Sequence, residues 1–585
     1  MEARAVTPSP GGGPGPATGF AAALLSELSR IGVRDVVVSP GSRSQALALA
    51  AAALDRVGRL RLRVRVDERS AGFLALGLAR ESGVPAVVVT TSGTAVANLH
   101  PAVLEAHHSG VPMIVVTADR PEELHGIGAN QTTTHVGMFG DAVRRTWDVG
   151  APTGEPGEAE AAASIAGAVV RSALGAGDPD AAGPVHLNVA FTEPLSGPWE
   201  PEGAAPADGA TPAADEAEDR IGAGVPGSTI PAVAVPRAVV LRPVPRTVVV
   251  AGAGAGPRAE ELARELGAPL FAEVVSGARF GPNLVVPYRE TIRSEPFLDA
   301  LERIVVLGRP TLSREVPWLI ERGGAETIVV RGPGADDYDP GRSVAAFADA
   351  VEVVGEPDAA AARAWVGPWV AASRRHLERT EDVAPEVFAE PGPKSRHELG
   401  AVREPVTRRA LVEAVWRASW PHDRLVVASS RLVRELDRWA PGKAIPVHAN
   451  RGLAGIDGNT STAIGVALAS GAVTRLLTGD LAFLHDVGGL AFGEGEERPR
   501  IMAVVGDDRG GTIFDDLEVG AMLRRAPGPG LADFERVMRT PQRVSIEGLA
   551  RAYGWDHRRV ETRGELDPAL SACAGPTVVE VVLPD

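Results

Sequence analysis

Short apolar runs recur along the chain, and most are followed by a small-residue turn and then by a stretch with helical spacing. Over residues 19–196 the pattern predicts a helix at FAAALLSELSRIG, a strand at DVVVS (35–39), the turn PGSRS (40–44) and a helix at QALALAAAAL. RLRVRVDE (61–68) alternates arginine with apolar residues at period two, the mark of a half-buried strand. The helix SAGFLALGLARES, the strand VPAVVVT (84–90), the turn TSGT and the helix AVANLHPAVLEAHHS follow. Strands at VPMIVVTADRP (111–121) and GPVHLNVAF (183–191) complete the block. A second block, 241–385, has strand patterns at TVVVAG (247–252), RIVVLG (303–308) and ETIVVRG (326–332), then a long helix through AAARAWVGPWVAASRRHLERT. A third, 386–585, opens in a charged, Pro-containing stretch and carries strands RLVVAS, TRLLTG, RIMAVVG and PTVVEVVLP. Strands alternating with helices imply parallel sheets built from βαβ units. The expected fold class is therefore α/β, with three doubly wound domains and mostly parallel sheets. Residues 197–240, rich in Pro, Gly, Ala and Glu, read as a linker.

The chemistry lies where these strands end, because ligands of open α/β sheets bind outside the carboxyl ends of the strands. RLLTGDLAFLHDVGGLAF (475–492) and RIMAVVGDDRGGTIF (500–514) each run from an apolar strand into an acidic turn. The first turn holds Asp480 and the second holds Asp507 and Asp508, with Gly510 and Gly511 behind them. A helix at FLHDVGGLAFG between them would return both acids to one sheet edge. Two carboxylates and a carbonyl freed by a glycine turn suit Mg²⁺, which prefers to be shared with substrate phosphates. The first block places Ser42, Arg43, Thr91, Ser92, Gly93 and Arg120 on one rim, with Asn130 and Gln131 in GANQTTT just beyond. Singly, each of these turns is ordinary βα chemistry, with Ser or Thr capping and Gly relaxing the bend. Together they make an anion-binding rim, since arginine pairs bidentately with carboxylates. Glu68, in VDERSAGFLALGLA, suits the macrodipole of the helix it begins. Partly desolvated beside a glycine-containing helix, it could also share a proton with a ring nitrogen. HANRGLAGIDGNTSTAIGVALA (448–469) predicts a buried helix after a glycine turn; Asp457 and Thr462 there could cradle a phosphate, and Ile456 could project as an apolar wedge. AGAGAG (251–256) lacks the dinucleotide spacing and reads as a tight turn.

Composition narrows the classes. With 585 residues the chain is multidomain. A net charge of −16 argues against nucleic-acid binding but not against small anions, which answer to local arginines. No apolar run has the length of a membrane span, the first residues lack the apolar core of a secretory signal, and Cys573 is the only cysteine. A cytoplasmic location is expected. The histidines show no zinc-like spacing.

GDLAFLHDVGGLAF followed by DDRGGTIF resembles the diphosphate-and-metal motif of thiamine-diphosphate enzymes. It departs from the usual pattern at Leu481, in place of a glycine, and at Asp508, in place of an asparagine. The set PGSRS, DERSAGFLALGLA, TTSGTAVANLHPAV, TADRPEELHGIGANQT and NRGLAGIDG is more specific. It is similar to the 2-succinyl-5-enolpyruvyl-6-hydroxy-3-cyclohexene-1-carboxylate synthase family, which acts in menaquinone biosynthesis. That resemblance implies the thiamine-diphosphate-enzyme architecture: a pyrimidine-binding domain (19–196), a central domain (241–385) and a diphosphate-binding domain (386–585). It implies a homodimer or homotetramer with active sites at the subunit interface. It implies thiamine diphosphate with Mg²⁺ or Mn²⁺, decarboxylation of 2-oxoglutarate, and addition of the succinyl carbanion equivalent to isochorismate. Carried onto this sequence, Glu68 is the catalytic acid on the aminopyrimidine ring. Ser92, Gly93, Gln131, Ile456, Asp480, Leu481, Asp508, Gly510, Ile513 and Phe514 bind the cofactor. Asp480, Asp508 and the Gly510 carbonyl hold the metal. Ser42, Arg43, Arg120, Asn130, Gln131, Arg314, Ser430, Arg434 and Arg451 bind substrate. Some relatives have a basic residue where Ser313 stands beside Arg314. Two other readings share part of this set: another 2-oxoacid decarboxylase or carboligase of the acetolactate-synthase type, which does not need the arginines, and a non-catalytic sensor of an anionic metabolite, which does not need Glu68.

Overall fold

The computed structural model describes residues 14–584, apart from 177–181, 202–237, 244–245, 295, 333, 335, 379–399, 401, 517 and 526–528. The Gly/Pro-rich N-terminal tail and most of the 197–240 linker lie outside the described residues. The chain divides into two compact units. The first is residues 1–234 with 491–497, and the second is 235–490 with 498–585.

The first unit is built on a six-stranded parallel sheet: β1 (Asp35–Val38), β2 (Arg61–Val64), β3 (Ala86–Thr90), β4 (Met113–Asp119), β5 (Thr146–Val149) and β6 (Pro184–Ala190), in the order β2-β1-β3-β4-β6-β5. The central strands are buried throughout because helices cover both faces, as parallel sheets require. Leu24, Leu25 and Leu28 of the helix Pro16–Arg30 are fully buried with Val36, Val87 and Ile114. Each such side chain contributes about 1.5–3 kcal/mol on burial. The arginine-alternating stretch stays extended only to Val64, because the Asp67 side chain caps the Arg69 and Ser70 amides and starts the helix Glu68–Ser82. The acidic segment 491–497 belongs to this unit through pairs from Glu497 to Arg63 (2.6 Å) and Glu496 to Arg65 (3.8 Å).

The second unit holds two large sheets. The five-stranded one comprises β8 (Thr247–Ala251), β9 (Leu270–Ala272), β10 (Arg303–Leu307), β11 (Glu326–Val330) and β12 (Ala346–Ala348), in the order β12-β11-β10-β8-β9. β7 (Ala238–Leu241) pairs with β13 (Ala350–Val353), so the last residues assigned to the linker are strand. The six-stranded sheet comprises β14 (Arg424–Val427), β15 (Val447–His448), β16 (Thr474–Gly479), β17 (Ile501–Asp507), β18 (Asp556–Val560) and β19 (Thr577–Val582), in the order β15-β14-β16-β17-β19-β18. Renumbered from its own first strand, that order is the permutation seen in the first unit. Both sheets therefore reverse direction between their first and third strands, and the crevice at such a switch point is where ligands bind.

The helix Asn459–Ser470 is buried from Asn459 to Leu468, as its lack of charge predicts. The helix expected between the two acidic turns is shorter, Asp480–His485, and a single 3₁₀ turn follows at Val487–Leu490. AGAGAG is a tight turn closed by backbone: Ala253 bridges Arg309, and a Cβ at Gly252 would lie 2.1 Å from the Pro310 nitrogen. Among the described residues, no helix is long and apolar enough to cross a membrane.

Candidate active site

In the first unit the switch point lies between β1 and β3, and the two turns leaving them are joined. The Arg43 amide donates to Thr91 Oγ1 (3.3 Å), and the Arg43 guanidinium donates to the Phe191 carbonyl (2.8 Å). Burial, and then the nearby Arg120, hold the Arg43 pKa below its ordinary value. Two guanidiniums that repel each other on one rim are what an anionic ligand stabilises. Arg120 donates to the buried Ser92 hydroxyl, which donates in turn to the Gln131 carbonyl (3.0 Å). The Gln131 side chain donates back to the Ser92 carbonyl (3.0 Å). Ser42 and Asn130 are exposed at the same edge. Glu68 is half-buried at the first position of its helix. The structure thus brings Ser42, Arg43, Ser92, Gly93, Arg120 and Gln131 to one sheet edge.

In the second unit the acids behave as a coupled set. Asp480 is buried at the end of β16, and Asp508 follows β17, its neighbour in the sheet. Burial, then the Asp508 charge, push the Asp480 carboxyl up to about 7, while the amides of Leu481 (2.8 Å) and Gly510 partly offset them. Asp508 accepts from the Arg408 guanidinium (2.9 Å) and from the Thr512 hydroxyl. Gly510 is required where it stands: at φ 142 a Cβ would meet the Arg539 carbonyl at 2.4 Å. Among the described residues there is no cluster of three or more His, Cys, Asp or Glu side chains fit to hold a metal. The donor set is two carboxylates and a turn, which fits a hard cation completed by phosphate and water rather than a caged one. Ile513 and Phe514 are half-buried beside this turn, and Ile456 is 38% exposed in the loop before the buried helix. Thr462 is fully buried and accepts from Asn450 (3.1 Å), so it does not join a phosphate cradle.

Ser430 caps the helix Arg431–Trp439 by accepting from the Leu432 amide (3.1 Å), and a Cβ at Gly479 would lie 3.7 Å from its own Cβ. The exposed Arg434 donates to the Ser430 carbonyl (3.3 Å). Arg451 is buried; it donates to the Thr311 hydroxyl (2.9 Å) and carbonyl (3.1 Å) and to Ser429 (3.2 Å). Arg314 is exposed at the start of the helix Glu315–Glu321, three residues past Thr311.

A support that the spacing of residues did not disclose lies beneath these arginines. One oxygen of the buried Glu273 accepts the Thr311 (2.7 Å) and Leu312 (2.6 Å) amides, and the other has no hydrogen-bond partner among the described residues. Asp437, fully buried, accepts from the Val274 amide (2.8 Å), the Tyr288 hydroxyl (2.7 Å) and Arg289 (2.7 Å). Burial and then the Asp437 charge raise the Glu273 carboxyl to about 8. Glu273 fixes the loop to which Arg451 is tied. Arg408 was missed for the same reason, since Asp508 is 100 residues away in sequence.

Residues 19–138 match the family model described as the thiamine pyrophosphate enzyme N-terminal TPP binding domain. The chain is similar over nearly its whole length to curated proteins named 2-succinyl-5-enolpyruvyl-6-hydroxy-3-cyclohexene-1-carboxylate synthase. The relative from Leifsonia xyli is 54% identical, covering 97% of this chain and 96% of its own. That from Clavibacter michiganensis is 52% identical over the same shares. That from Kineococcus radiotolerans is 43% identical, again over 97% and 96%.

The raised Glu273 carboxyl has a consequence for stability. Between the ordinary carboxyl value and about 8 the folded chain keeps a proton that the unfolded chain has lost, so stability falls as pH rises through that window. Glu273→Gln keeps the acceptor for Thr311 and Leu312 and removes the titration. Thermal midpoints at pH 5 and pH 8 should fall less in the variant than in the wild type; equal falls would contradict a protonated Glu273.

Proposed function

The chain belongs to the 2-succinyl-5-enolpyruvyl-6-hydroxy-3-cyclohexene-1-carboxylate synthase family of thiamine-diphosphate-dependent enzymes, and from that premise we propose how its residues divide the work. The reaction is the decarboxylation of 2-oxoglutarate and addition of its succinyl unit to isochorismate, a step of menaquinone biosynthesis. The observation that carries the assignment of roles is the pair Asp480 and Asp508 at neighbouring strand ends of a sheet with the same topology as the one that presents Glu68.

Thiamine diphosphate, when bound, supplies a carbon nucleophile and an electron sink for loss of CO₂ from a 2-oxoacid. Asp480, Asp508 and the Gly510 carbonyl would hold Mg²⁺, or Mn²⁺, shared with the diphosphate. Glu68 would share a proton with the pyrimidine ring nitrogen of the bound cofactor. Ser92, Gly93 and Gln131 would hold the pyrimidine end, Leu481, Ile513 and Phe514 the diphosphate end, and Ile456 would supply an apolar contact between them. Arg43, Arg120, Arg314, Arg434 and Arg451 take the substrate carboxylates, with Ser42, Asn130, Gln131 and Ser430 as neutral donors. The two substrates bring four carboxylates between them, and charge-assisted bonds to arginine orient them as well as bind them. The active site needs a second copy of the chain, in a homodimer or homotetramer, and the protein works in the cytoplasm. The full-length similarity favours this reaction over an acetolactate-type carboligation, and over a sensor.

Glu68→Gln should still bind thiamine diphosphate while isochorismate consumption falls by about a hundredfold or more. Near-normal turnover would remove Glu68 from the proton transfer. Asp480→Ala should bring the affinity for thiamine diphosphate in Mg²⁺ down to the value measured with chelator. A cofactor titration in which Mg²⁺ helps the variant as much as the wild type would refute the ligand assignment.

A further inference from the structure

The Ser92–Gly93 turn rests on a buried polar chain whose protons can all be placed. His135 is 1% exposed, and its Nε2 lies 3.1 Å from the Gly93 nitrogen. A backbone amide only donates, so Nε2 carries no proton. The proton is on Nδ1, which faces the Asn188 side-chain oxygen at 3.0 Å and Asp119 Oδ2 at 3.3 Å. Asn188 cannot be turned round, because its nitrogen donates to Asp119 (3.0 Å) and Asp148 (2.8 Å). The sheet register sets this up by placing Thr117, Asn188 and Asp148 side by side on β4, β6 and β5. Thr117 donates its hydroxyl to the same Asn188 oxygen (2.8 Å) and therefore accepts from His186 Nε2 (2.8 Å). His186 is neutral, since burial holds its pKa down to about 4.

What this chain supports is a strained junction. Gly93 has φ 81, and a Cβ there would meet Gln131 Cγ at 2.9 Å. Gln131 is itself at φ 55, a region that side chains rarely adopt and that clusters at functional sites. The two strands of chain are tied by the reciprocal Ser92–Gln131 bonds, and His135, four residues after Gln131, supplies the acceptor for the Gly93 amide.

We propose that His135 is a positioning residue of the active site: in its neutral Nδ1-protonated form it accepts the Gly93 amide and thereby locks the Ser92–Gly93 turn and Gln131 into the shape that receives the cofactor's pyrimidine end. The proposal rests on the reading of Ser92, Gly93 and Gln131 as cofactor contacts. Its effect falls first on cofactor affinity, because the amide it holds is that of Gly93, and more weakly on substrate binding through Gln131 and the Ser92-bound Arg120.

The test is the Kd for thiamine diphosphate of full-length wild type, His135→Ala and His135→Gln in Mg²⁺, with KM for 2-oxoglutarate at saturating cofactor. Losing one net hydrogen bond should raise the alanine variant's Kd about tenfold. KM should change by less than the Kd, because only Gln131 and Arg120 of the substrate contacts are tied to this turn. Glutamine, whose amide oxygen can accept the Gly93 amide, should restore the Kd to within about threefold of wild type. Equal Kd values for the two variants, or an effect on KM alone, would overturn the proposal and leave the cofactor reading standing. A wild type that does not bind the cofactor would overturn that reading and the proposal with it. Histidine-selective ¹⁵N NMR of the wild type, with the His135 signal identified by its loss in His135→Gln, reads the tautomer without relying on the alanine variant's folding. The Nδ1–H form is expected, and an Nε2–H form or an imidazolium would overturn the proposal.

Discussion

Two carboxylates at the ends of neighbouring parallel strands repel each other, and in this chain burial compounds the repulsion at Asp480. Leu481 and Gly510 offset part of it with backbone amides, and Arg408 and Thr512 answer Asp508. The remainder is what a divalent cation, itself shared with a diphosphate, would neutralise. Much of the third sheet follows from this need. Gly510 must be glycine for its turn to pass the Arg539 carbonyl, and the turn carries Ile513 and Phe514 to the same edge.

The repeated strand permutation gives that arrangement its counterpart. In the first unit the same switch point presents arginines and small donors instead of acids, and Glu68 begins the helix that follows β2. One topology thus serves two electrostatic tasks, chosen by the turn residues alone. The five-stranded sheet reverses at the equivalent place, but there Ala253 and Arg309 close the crevice with backbone. Besides presenting Arg314, it gives support: Glu273 accepts the Thr311 and Leu312 amides of the loop to which Arg451 is tied.

The parts legible in the sequence are those whose signal is local. Fully apolar strands such as β4 and β17 announce themselves, and so do the Gly, Ser and Asp turns that end them. The edge strands DHRRV at β18 and TWDV at β5 do not: they are half-exposed and carry no continuous apolar run. The grouping of 491–497 with the first unit rests on ion pairs to Arg63 and Arg65, which composition cannot show. The same limit separates the two layers of the site. Residues that would face a ligand sit in motifs, whereas His135, Glu273 and Arg408 act on groups 42, 38 and 100 positions away and become visible only once the sheets are formed.

The most direct test of the account is to mix the purified protein with thiamine diphosphate, Mg²⁺, 2-oxoglutarate and isochorismate while following isochorismate absorbance and CO₂ together. The account predicts loss of isochorismate, equimolar with CO₂, that requires all four additions. Release of CO₂ from 2-oxoglutarate with isochorismate untouched would contradict the acceptor, and the absence of both would contradict the enzyme.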